Sequence, residues 1–502
     1  LLPPMRVTAL LLIPGALVAI LAFDRGGFFP DSVGLAATAL GVVLAARLLL
    51  AADPFESVSG IALLAGGALS LLAAWTLLSA AWSDMDARAM LEFDRVVLYA
   101  FAFWVFATIG RTPGRLRVLV RALAVGIAAV CLSGLLTRVL PEVWGAPPNI
   151  EPERLSWPVT YWNGLGLLAA VGLLLALHHA ADAHERAGVR VLGAAAAPLL
   201  AATLVLTFSR GAVVAGALAL VAYAVLARPS GFPAALASAG PAIAVAVIAA
   251  LDADLLSSGN PTAPAAVAQG EDLALVLGAC AAAAAIVRWA LLGLDARVVA
   301  WRPGAAAAMS RRRPLVVAAA TVVVAGLVAS SAAAGLPARA ELQYKAFVDG
   351  SDVTASQTRT RLLEIGNNGR LEHWDVALEG FRSDPLRGSG AGTYEAQWAR
   401  YRSTNFTVVD GHSLYLETLG EPVSQPESWA TRLMWLFVVS KQVFVVSKYT
   451  SSVEPMGSYW RRVGMRRCSP GVPLTTARWI FSAAAWLHSA SRSICGKAPS
   501  PT

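Results

Sequence analysis

Arg210 is a single charged residue in the apolar stretch LVLTFSRGAVVAG, residues 204–216. Ser209 and Gly211 beside it permit a tight turn with close backbone approach. A helix that begins directly after this turn would point its N-terminal N–H groups at the same place. A guanidinium beside a helix N-terminus is a binding site for phosphate. The alternative is that Arg210 anchors a helix at a membrane surface or caps the carbonyl groups of the preceding helix.

His412 is the second residue with the chemistry of a reaction site, and it lies in the segment DGHSLYLETLGE. An imidazole that titrates near neutral pH can take a proton from a hydroxyl group. A diphosphate held by Arg210 would supply the leaving group that such a base needs. The alternative is a solvated loop histidine without a catalytic role.

The elements that carry these residues are predicted to be membrane-spanning helices. The chain has 502 residues, of which 57% are hydrophobic and 14% charged, and its mean hydropathy is +0.60. A membrane-spanning helix needs roughly 20 apolar residues. Runs of about that length, rich in Ala, Leu, Val and Gly and without alternation, predict an all-α polytopic membrane helix bundle of 11–12 spans. The eleven runs are 7–23, 33–52, 59–82, 96–110, 118–140, 161–178, 189–207, 211–227, 232–251, 273–294 and 315–336.

Arginine distribution predicts the orientation of the bundle. With a cytoplasmic N-terminus, fourteen arginines fall in the inner segments and six in the short outer segments. This excess is typical of cytoplasmic loops. The turn at Arg210 and the segment that follows the eleventh run are then both predicted to face outside.

Composition divides the chain into three regions. Residues 1–336 are the predicted helix bundle, and residues 337–421 are a long polar loop on the outer side. Within this loop, Leu371, Trp374, Ala377, Leu378 and Phe381 are spaced as in an amphipathic helix over 370–381. The sequence DPLRGSGAG ends that helix.

Residues 422–502 form an atypical tail. Pro422 interrupts the sequence at once, and the one apolar run, about 433–446, is short and contains Lys441. We interpret the tail as an out-of-frame or foreign segment. The alternative is a divergent, disordered cytoplasmic tail.

No metal or other cofactor is predicted. Asp84 with Asp86, and Asp252 with Asp254, have a spacing that could hold a divalent cation, but such short pairs are more often solvated loop charges. The histidines at 178, 179 and 184 do not share one helical face, which favours an interfacial polar patch over a metal site. The four cysteines show no CxxC spacing and predict neither a disulfide framework nor a metal site.

Three separated motifs resemble the O-antigen ligase and O-antigen polymerase superfamily of bacterial envelopes. They are LTFSRGAVVAGALALVAYAVL, NGRLEHWDVALEGFRSDPLRGSGAGTYEA and GHSLYLETLGE, in that order. The resemblance implies a lipid-sugar glycosyltransferase fold of the GT-C type in the bacterial cytoplasmic (inner) membrane, with its active site outside. Such enzymes transfer a glycan from an undecaprenyl-diphosphate carrier to a hydroxyl on lipid, glycan or protein, with inversion and without a metal.

The resemblance also implies roles for individual residues. Arg210 matches the arginine that holds the diphosphate, and His412 matches the histidine that acts as base or orients the acceptor. Ser413 stands where the family commonly has asparagine, and it keeps a hydrogen-bonding side chain. The expected substrate-binding residues are Arg370, Arg361, Arg359, Ser209 and Ser413.

A lipid-linked oligosaccharide flippase or transporter without catalysis is the alternative function. Transporters of this kind usually show internal repeats and broken spans near the midplane. The sequence shows no clear repeat, and its charged chemistry collects at one surface, which favours catalysis. The nucleic-acid partners that a net charge of +8 would suggest in a soluble protein are not expected here.

Overall fold

The structure is a computed structural model. It describes residues 4–293 except 57, 111, 146–151 and 228, and further on residues 341, 342, 344, 345, 347, 348, 369–385, 388–413, 416 and 421. This part of the chain contains helices, turns and irregular segments but no strand. The eleventh apolar run, 315–336, and the tail, 422–502, lie outside the described residues.

Ten long helices account for the first ten apolar runs. They are α1 Pro4–Phe23, α2 Pro30–Leu50, α3 Gly60–Ser79, α4 Asp86–Ala107, α5 Pro113–Val139, α7 Trp162–Ala181, α8 Ala187–Leu206, α9 Arg210–Leu226, α10 Phe232–Asp252 and α11 Pro264–Gly293. A single turn, α6 Pro141–Trp144, follows α5. Two shorter helices, α12 Arg370–Ser383 and α13 Tyr394–Tyr401, belong to the predicted loop.

Seven of the helices within the described residues are long and apolar enough to cross a membrane, namely α2, α3, α5, α7, α8, α10 and α11. Two shorter apolar helical segments accompany them, namely Ala9–Phe23 within α1 and Arg210–Leu226, which is α9. The prediction of a multi-pass helical membrane protein is therefore confirmed. Helix α4 begins ten residues before the predicted apolar run. The run omitted these residues because the first turns of the helix are charged, with Asp86, Arg88, Glu92, Asp94 and Arg95.

Long-range contacts show which connections lie at the same end of the bundle. The α1–α2 connection meets the α5–α7 connection where Gly26 approaches Val159. Arg154 of the α5–α7 connection reaches the α8–α9 turn, and Arg138 at the end of α5 donates to the Leu256 carbonyl after α10 at 2.7 Å. We call this the Arg210 end.

The opposite end, here the Glu185 end, gathers the alternate connections. Glu185, between α7 and α8, is buried and accepts hydrogen bonds from Arg121 of α5 at 3.0 and 3.2 Å. Gly231, before α10, packs on the Ala181 carbonyl, and Arg288 of α11 donates to the Ala180 carbonyl at 2.9 Å. The connections named here therefore group at two ends, as successive spans require, and which end faces outside stays a prediction.

The Arg121–Glu185 pair gives a stability prediction. Replacing Arg121 by leucine leaves the buried Glu185 carboxylate with His179 Nδ1, 3.5 Å away, as its remaining neighbour. Removal of one member of a buried ion pair costs about 3–5 kcal/mol, and this is an upper bound here because the Arg121 side chain is 31% exposed. We expect the thermal unfolding temperature in detergent to fall by several degrees. Arg117→Leu is the matched control, because the half-buried Arg117 donates to a backbone carbonyl, that of His184 at 3.1 Å, and not to a buried carboxylate. Equal unfolding temperatures for the two variants would contradict the prediction.

Small residues allow the helices to approach closely. A Cβ on Gly126 of α5 would lie 2.3 Å from the Gly15 carbonyl oxygen of α1, and a Cβ on Gly193 of α8 would lie 2.6 Å from the Ala176 carbonyl oxygen of α7. Contacts of this type are common between helices in membranes, where packing rather than hydrophobic exclusion drives association. They hold α5 against α1 and α8 against α7, and α8 leads directly into the turn that carries Arg210.

Helices α12 and α13 pack on each other and on the α3–α4 connection. The Ala391 N–H donates to Ser79 Oγ at 3.1 Å, and Arg88 pairs with Glu395 at 2.5 Å. Gly390 and Gly392 have positive φ and lie so close to the α3–α4 connection that a Cβ would clash with Ser83 or Arg88. These contacts fix the polar segment to the α3–α4 connection.

The predicted helix over 370–381 is confirmed, but its buried face is shifted. His373, Val376, Ala377 and Gly380 are buried, whereas most of the predicted apolar stripe is half-buried. The reason is the position of α13, which packs Gln397 against Gly380 so closely that no Cβ would fit there. The helix ends at Ser383, before the predicted DPLRGSGAG breaker.

Candidate functional site at the Arg210 end

Arg210 is the first residue of α9, and Ser209 is the N-cap. Ser209 is buried; its Oγ accepts the Ala212 N–H at 3.4 Å and donates to Asn163 Oδ1 at 2.8 Å. The prediction that a helix begins directly at this turn is confirmed. The unusual backbone conformation is at Phe208, with φ +49°, rather than at Gly211, whose missing side chain faces open space. The two hydrogen bonds make Ser209 a structural cap of the turn.

Arg154 and Asn163 hold this turn, a role that the sequence pattern did not predict for either residue. The Arg154 guanidinium donates to the carbonyls of Thr207 and Phe208 at 3.1 and 3.0 Å and stacks 4.3 Å from the Trp162 ring centre. Asn163, which accepts from Ser209, also donates to the exposed Tyr161 hydroxyl at 2.8 Å. The two Arg154 hydrogen bonds satisfy carbonyl groups just after α8. Arg154 therefore has the capping role that was considered for Arg210.

His412 lies at the surface of the α12–α13 segment. Its side chain is 46% exposed, and its backbone has φ +55°, a conformation that is uncommon for histidine. The His412 N–H donates to Asp410 Oδ1 at 2.7 Å, and the same oxygen lies 3.7 Å from His412 Nδ1. The imidazole is therefore accessible to a substrate and has a carboxylate on one side.

His373 is the neighbour of His412 on the inner side. The two ring centres are 5.2 Å apart with an angle of 43° between the planes, and His373 also lies edge-on to Trp398 at 4.9 Å. His373 was not predicted as a site residue. Its helical register with Val376, Ala377 and Gly380 is the one sequence signal that marks it as buried.

The other predicted site residues are less completely described. Arg370 begins α12 directly after Gly369, whose φ is +75°. Ser413 follows His412 and is half-buried. Arg359 and Arg361 lie outside the described residues. The turn that carries Arg210 contacts the α5–α7 connection through Arg154, and His412 contacts His373 of α12. That Arg210 and His412 share one side of the membrane stays a prediction.

An apolar groove of about 740 Å³ opens beside α5 at the Arg210 end. The Trp144 indole, which contributes to its wall, donates to Ser133 Oγ at 3.3 Å. The groove is lined by Phe23, Ala129, Leu132, Ser133, Leu136, Thr137, Trp144, Gly145 and Trp157. Its lining and its position are suited to a hydrocarbon chain rather than to a polar ligand.

Glu421 connects the end of the polar segment to the start of α13. Its carboxylate accepts the N–H groups of Gly392 and Tyr394 at 3.0 and 2.7 Å. Burial raises the pKa of Glu421 to about 7, the two N–H groups act in the opposite direction, and the negative charges of Glu92 and Asp410 raise it further. The folded segment therefore binds this proton more tightly than the unfolded chain does.

A pH dependence follows from Glu421. Because its pKa is raised on folding from 4.5 to about 7, its contribution to the docking of the segment is complete below pH 4.5 and is lost as the pH rises through 7. The loss is at most about 3 kcal/mol, and less where solvent screens the charge.

We expect hydrogen exchange of residues 388–401, corrected for the intrinsic rate, to show less protection at pH 8 than at pH 6. Glu421→Gln should remove this difference. Glu379→Gln on the exposed face of α12 should leave it unchanged. The same pH dependence in the Glu421→Gln variant as in the wild type would contradict the assignment.

The alternative metal sites have other contacts in the structure. Asp254 Oδ1 accepts the Leu255 N–H at 3.0 Å and the Gln269 side chain at 3.1 Å. His178 pairs with the Tyr223 hydroxyl at 2.9 Å, and His184 contacts Asp182 at 3.0 Å. Among the described residues, no group of three or more His, Cys, Asp and Glu side chains is arranged to hold a metal ion.

Comparison with protein-family models, curated proteins and solved structures finds no match to this chain.

Proposed function

We propose that the protein transfers a glycan from an undecaprenyl-diphosphate carrier to an acceptor hydroxyl, as an inverting, metal-independent glycosyltransferase of the O-antigen ligase or polymerase type. The bacterial cytoplasmic membrane is the proposed location, with the reaction on the outer side. The donor is a lipid-linked glycan, and the acceptor is a hydroxyl on lipid, glycan or protein.

One observation supports the proposal: Arg210 stands in the first turn of a helix capped by Ser209. That this turn and His412 face the same side of the membrane is part of the proposal. The guanidinium and the N-terminal N–H groups of α9 favour a diphosphate at this position. His412, which is exposed and next to a carboxylate, is suited to accept the acceptor proton. Electrostatic stabilisation of the departing diphosphate would be the largest contribution of Arg210 to the rate.

The apolar groove beside α5 is the proposed seat of the polyprenyl chain. It lies at the Arg210 end, where a headgroup bound by Arg210 would have its hydrocarbon tail beside the helices. Two of its lining residues, Trp144 and Trp157, are tryptophans, which are enriched at membrane interfaces.

A reconstituted assay tests the proposal directly. The full chain in liposomes is given an undecaprenyl-diphosphate-linked glycan and candidate acceptors, and the covalent product is measured by mass spectrometry with release of undecaprenyl diphosphate. We expect acceptor-dependent product without added metal and in the presence of a chelator. Movement of the lipid-linked glycan across the bilayer with no covalent product would instead support the transporter.

The groove gives a separate prediction. Ala129→Trp fills part of the groove, and we expect it to raise the apparent KM for a long-chain donor about tenfold, a loss of about 1.4 kcal/mol of binding. A donor with a short lipid chain should be unaffected. Val125→Trp, one turn earlier on α5 at a position 69% exposed and outside the groove, is the control. Equal KM values for the two variants would exclude the groove as the tail site.

The transporter alternative has its own structural feature. Polar side chains are buried at the Glu185 end, among them His179, Arg190 and Arg288. Buried charges in membrane proteins often mark a substrate or proton pathway. If the protein is a transporter, substitutions at these residues should reduce translocation, and substitutions at His412 should not.

A further inference from the structure

His373 is a buried imidazole whose ring has no hydrogen-bond partner among the described residues. The residue is 3% exposed, and within the part of the chain that the structure describes neither Nδ1 nor Nε2 is hydrogen-bonded. A buried polar group without a partner costs about 1–3 kcal/mol, and each such group needs an explanation. The backbone of His373 is fixed, because its N–H donates to the Gly369 carbonyl at 3.1 Å and its carbonyl accepts from the Tyr394 hydroxyl at 3.0 Å.

The His412 ring is placed to become the missing partner. The two ring centres are 5.2 Å apart. Imidazoles joined by a linear N–H···N hydrogen bond of about 2.9 Å would have ring centres roughly 5 Å apart. The separation therefore already suits a hydrogen bond, and only the direction of the ring nitrogens has to change. We expect a rotation of the half-exposed His412 side chain, with α12 unmoved, to bring the ring nitrogens into line.

Burial and the neighbouring positive charges favour the neutral form of the His373 ring. Burial lowers the pKa of His373, and the positive charges of His412 and Arg370 lower it further, while Glu372 and Asp410 act in the opposite direction. A neutral imidazole always keeps one nitrogen that can accept a hydrogen bond. The buried ring is therefore an acceptor at neutral pH.

We propose that His373 is a positioning residue for His412: its ring accepts an N–H from His412, fixes the His412 tautomer and leaves the other His412 nitrogen facing the acceptor hydroxyl. This inference rests on the proposed function. In the reaction, His412 takes the hydroxyl proton while the hydroxyl oxygen bonds to the anomeric carbon. The bond from that carbon to the carrier phosphate oxygen breaks, and its electron pair stays on the diphosphate. The hydrogen bond to His373 stabilises the imidazolium that forms.

The tautomer of His412 tests the pair without any assay of transfer. The chain has six histidines, so ¹⁵N-histidine labelling of the full chain in detergent gives a spectrum that single substitutions can assign. We expect one His412 tautomer in the wild type and a mixture in His373→Leu. His373→Asn should keep one tautomer, because its amide oxygen can replace the accepting nitrogen. The Asp410→Asn variant tests whether the Asp410 carboxylate, rather than His373, orients the His412 ring.

The proposal is overturned if His373→Leu leaves the His412 tautomer unchanged. It is also overturned if the single tautomer is lost in Asp410→Asn but not in His373→Leu. In the transfer assay, we expect His373→Leu to lower kcat about tenfold or more with KM within about twofold, and His373→Asn to restore most of kcat. Unfolding temperatures equal to that of the wild type in both variants would exclude loss of folded protein as the cause of a lower kcat. If the tautomer responds as expected while the wild type transfers no glycan, the pair stands and the proposed function fails.

Discussion

Arg210→Ala is expected to lower the rate of glycan transfer by about 10²–10³, because one preorganised donor to a developing negative charge contributes about 3–4 kcal/mol. Arg210→Lys should recover only part of this rate, since a lysine keeps the charge but loses the planar fork that binds two phosphate oxygens. Transfer from an undecaprenyl-diphosphate-linked glycan in liposomes measures both. Binding of inorganic diphosphate to each variant gives a second readout that does not depend on the acceptor.

Arg25→Asn is the control for Arg210→Ala, because Arg25 has φ +53° and asparagine tolerates that conformation. Arg25 lies at the same end of the bundle, near the Phe29 ring, and has no role in the proposed site. If Arg210 is only a membrane anchor, both variants should transfer glycan at the wild-type rate and differ in unfolding temperature alone. That result would remove the diphosphate site from the proposal.

The helices were predictable from the sequence because a chain that crosses the membrane has to satisfy its backbone hydrogen bonds internally, which a helix does. The length and composition of each apolar run therefore indicate a helix. Their starts were less predictable. Helix α4 extends beyond the apolar run through charged residues, of which Arg88 pairs with Glu395, a residue distant in sequence. Periodicity contains no information about such long-range pairs, so the helix was predicted to begin ten residues too late.

The candidate site was predictable where its chemistry is local. The turn before α9 is capped by the residue next to Arg210, and both are visible in one short motif. Arg154 was identified only as one of the outer arginines, because its role is to bind carbonyls more than 50 residues away. His373 was missed for a similar reason, since it is buried by α13 rather than by the face that the apolar stripe predicted.

The second large effect is expected at His412. His412→Asn should lower the transfer rate by about 10²–10⁴, the range that a positioned general base contributes. Asparagine is the informative substitution because it tolerates the left-handed backbone conformation that His412 adopts at φ +55°. Alanine would combine loss of the base with backbone strain. The rate is measured with saturating donor, so that a change in donor binding does not enter.

His184→Asn is the control for His412. Its side chain is 63% exposed and also lies beside an aspartate, but at the Glu185 end of the bundle. We expect it to transfer glycan at the wild-type rate. If His412→Asn also keeps that rate, the residue serves the loop conformation and not proton transfer, because asparagine preserves the backbone and removes the base. Loss of activity in His412→Asn with an unchanged unfolding temperature would support the imidazole as the proton acceptor.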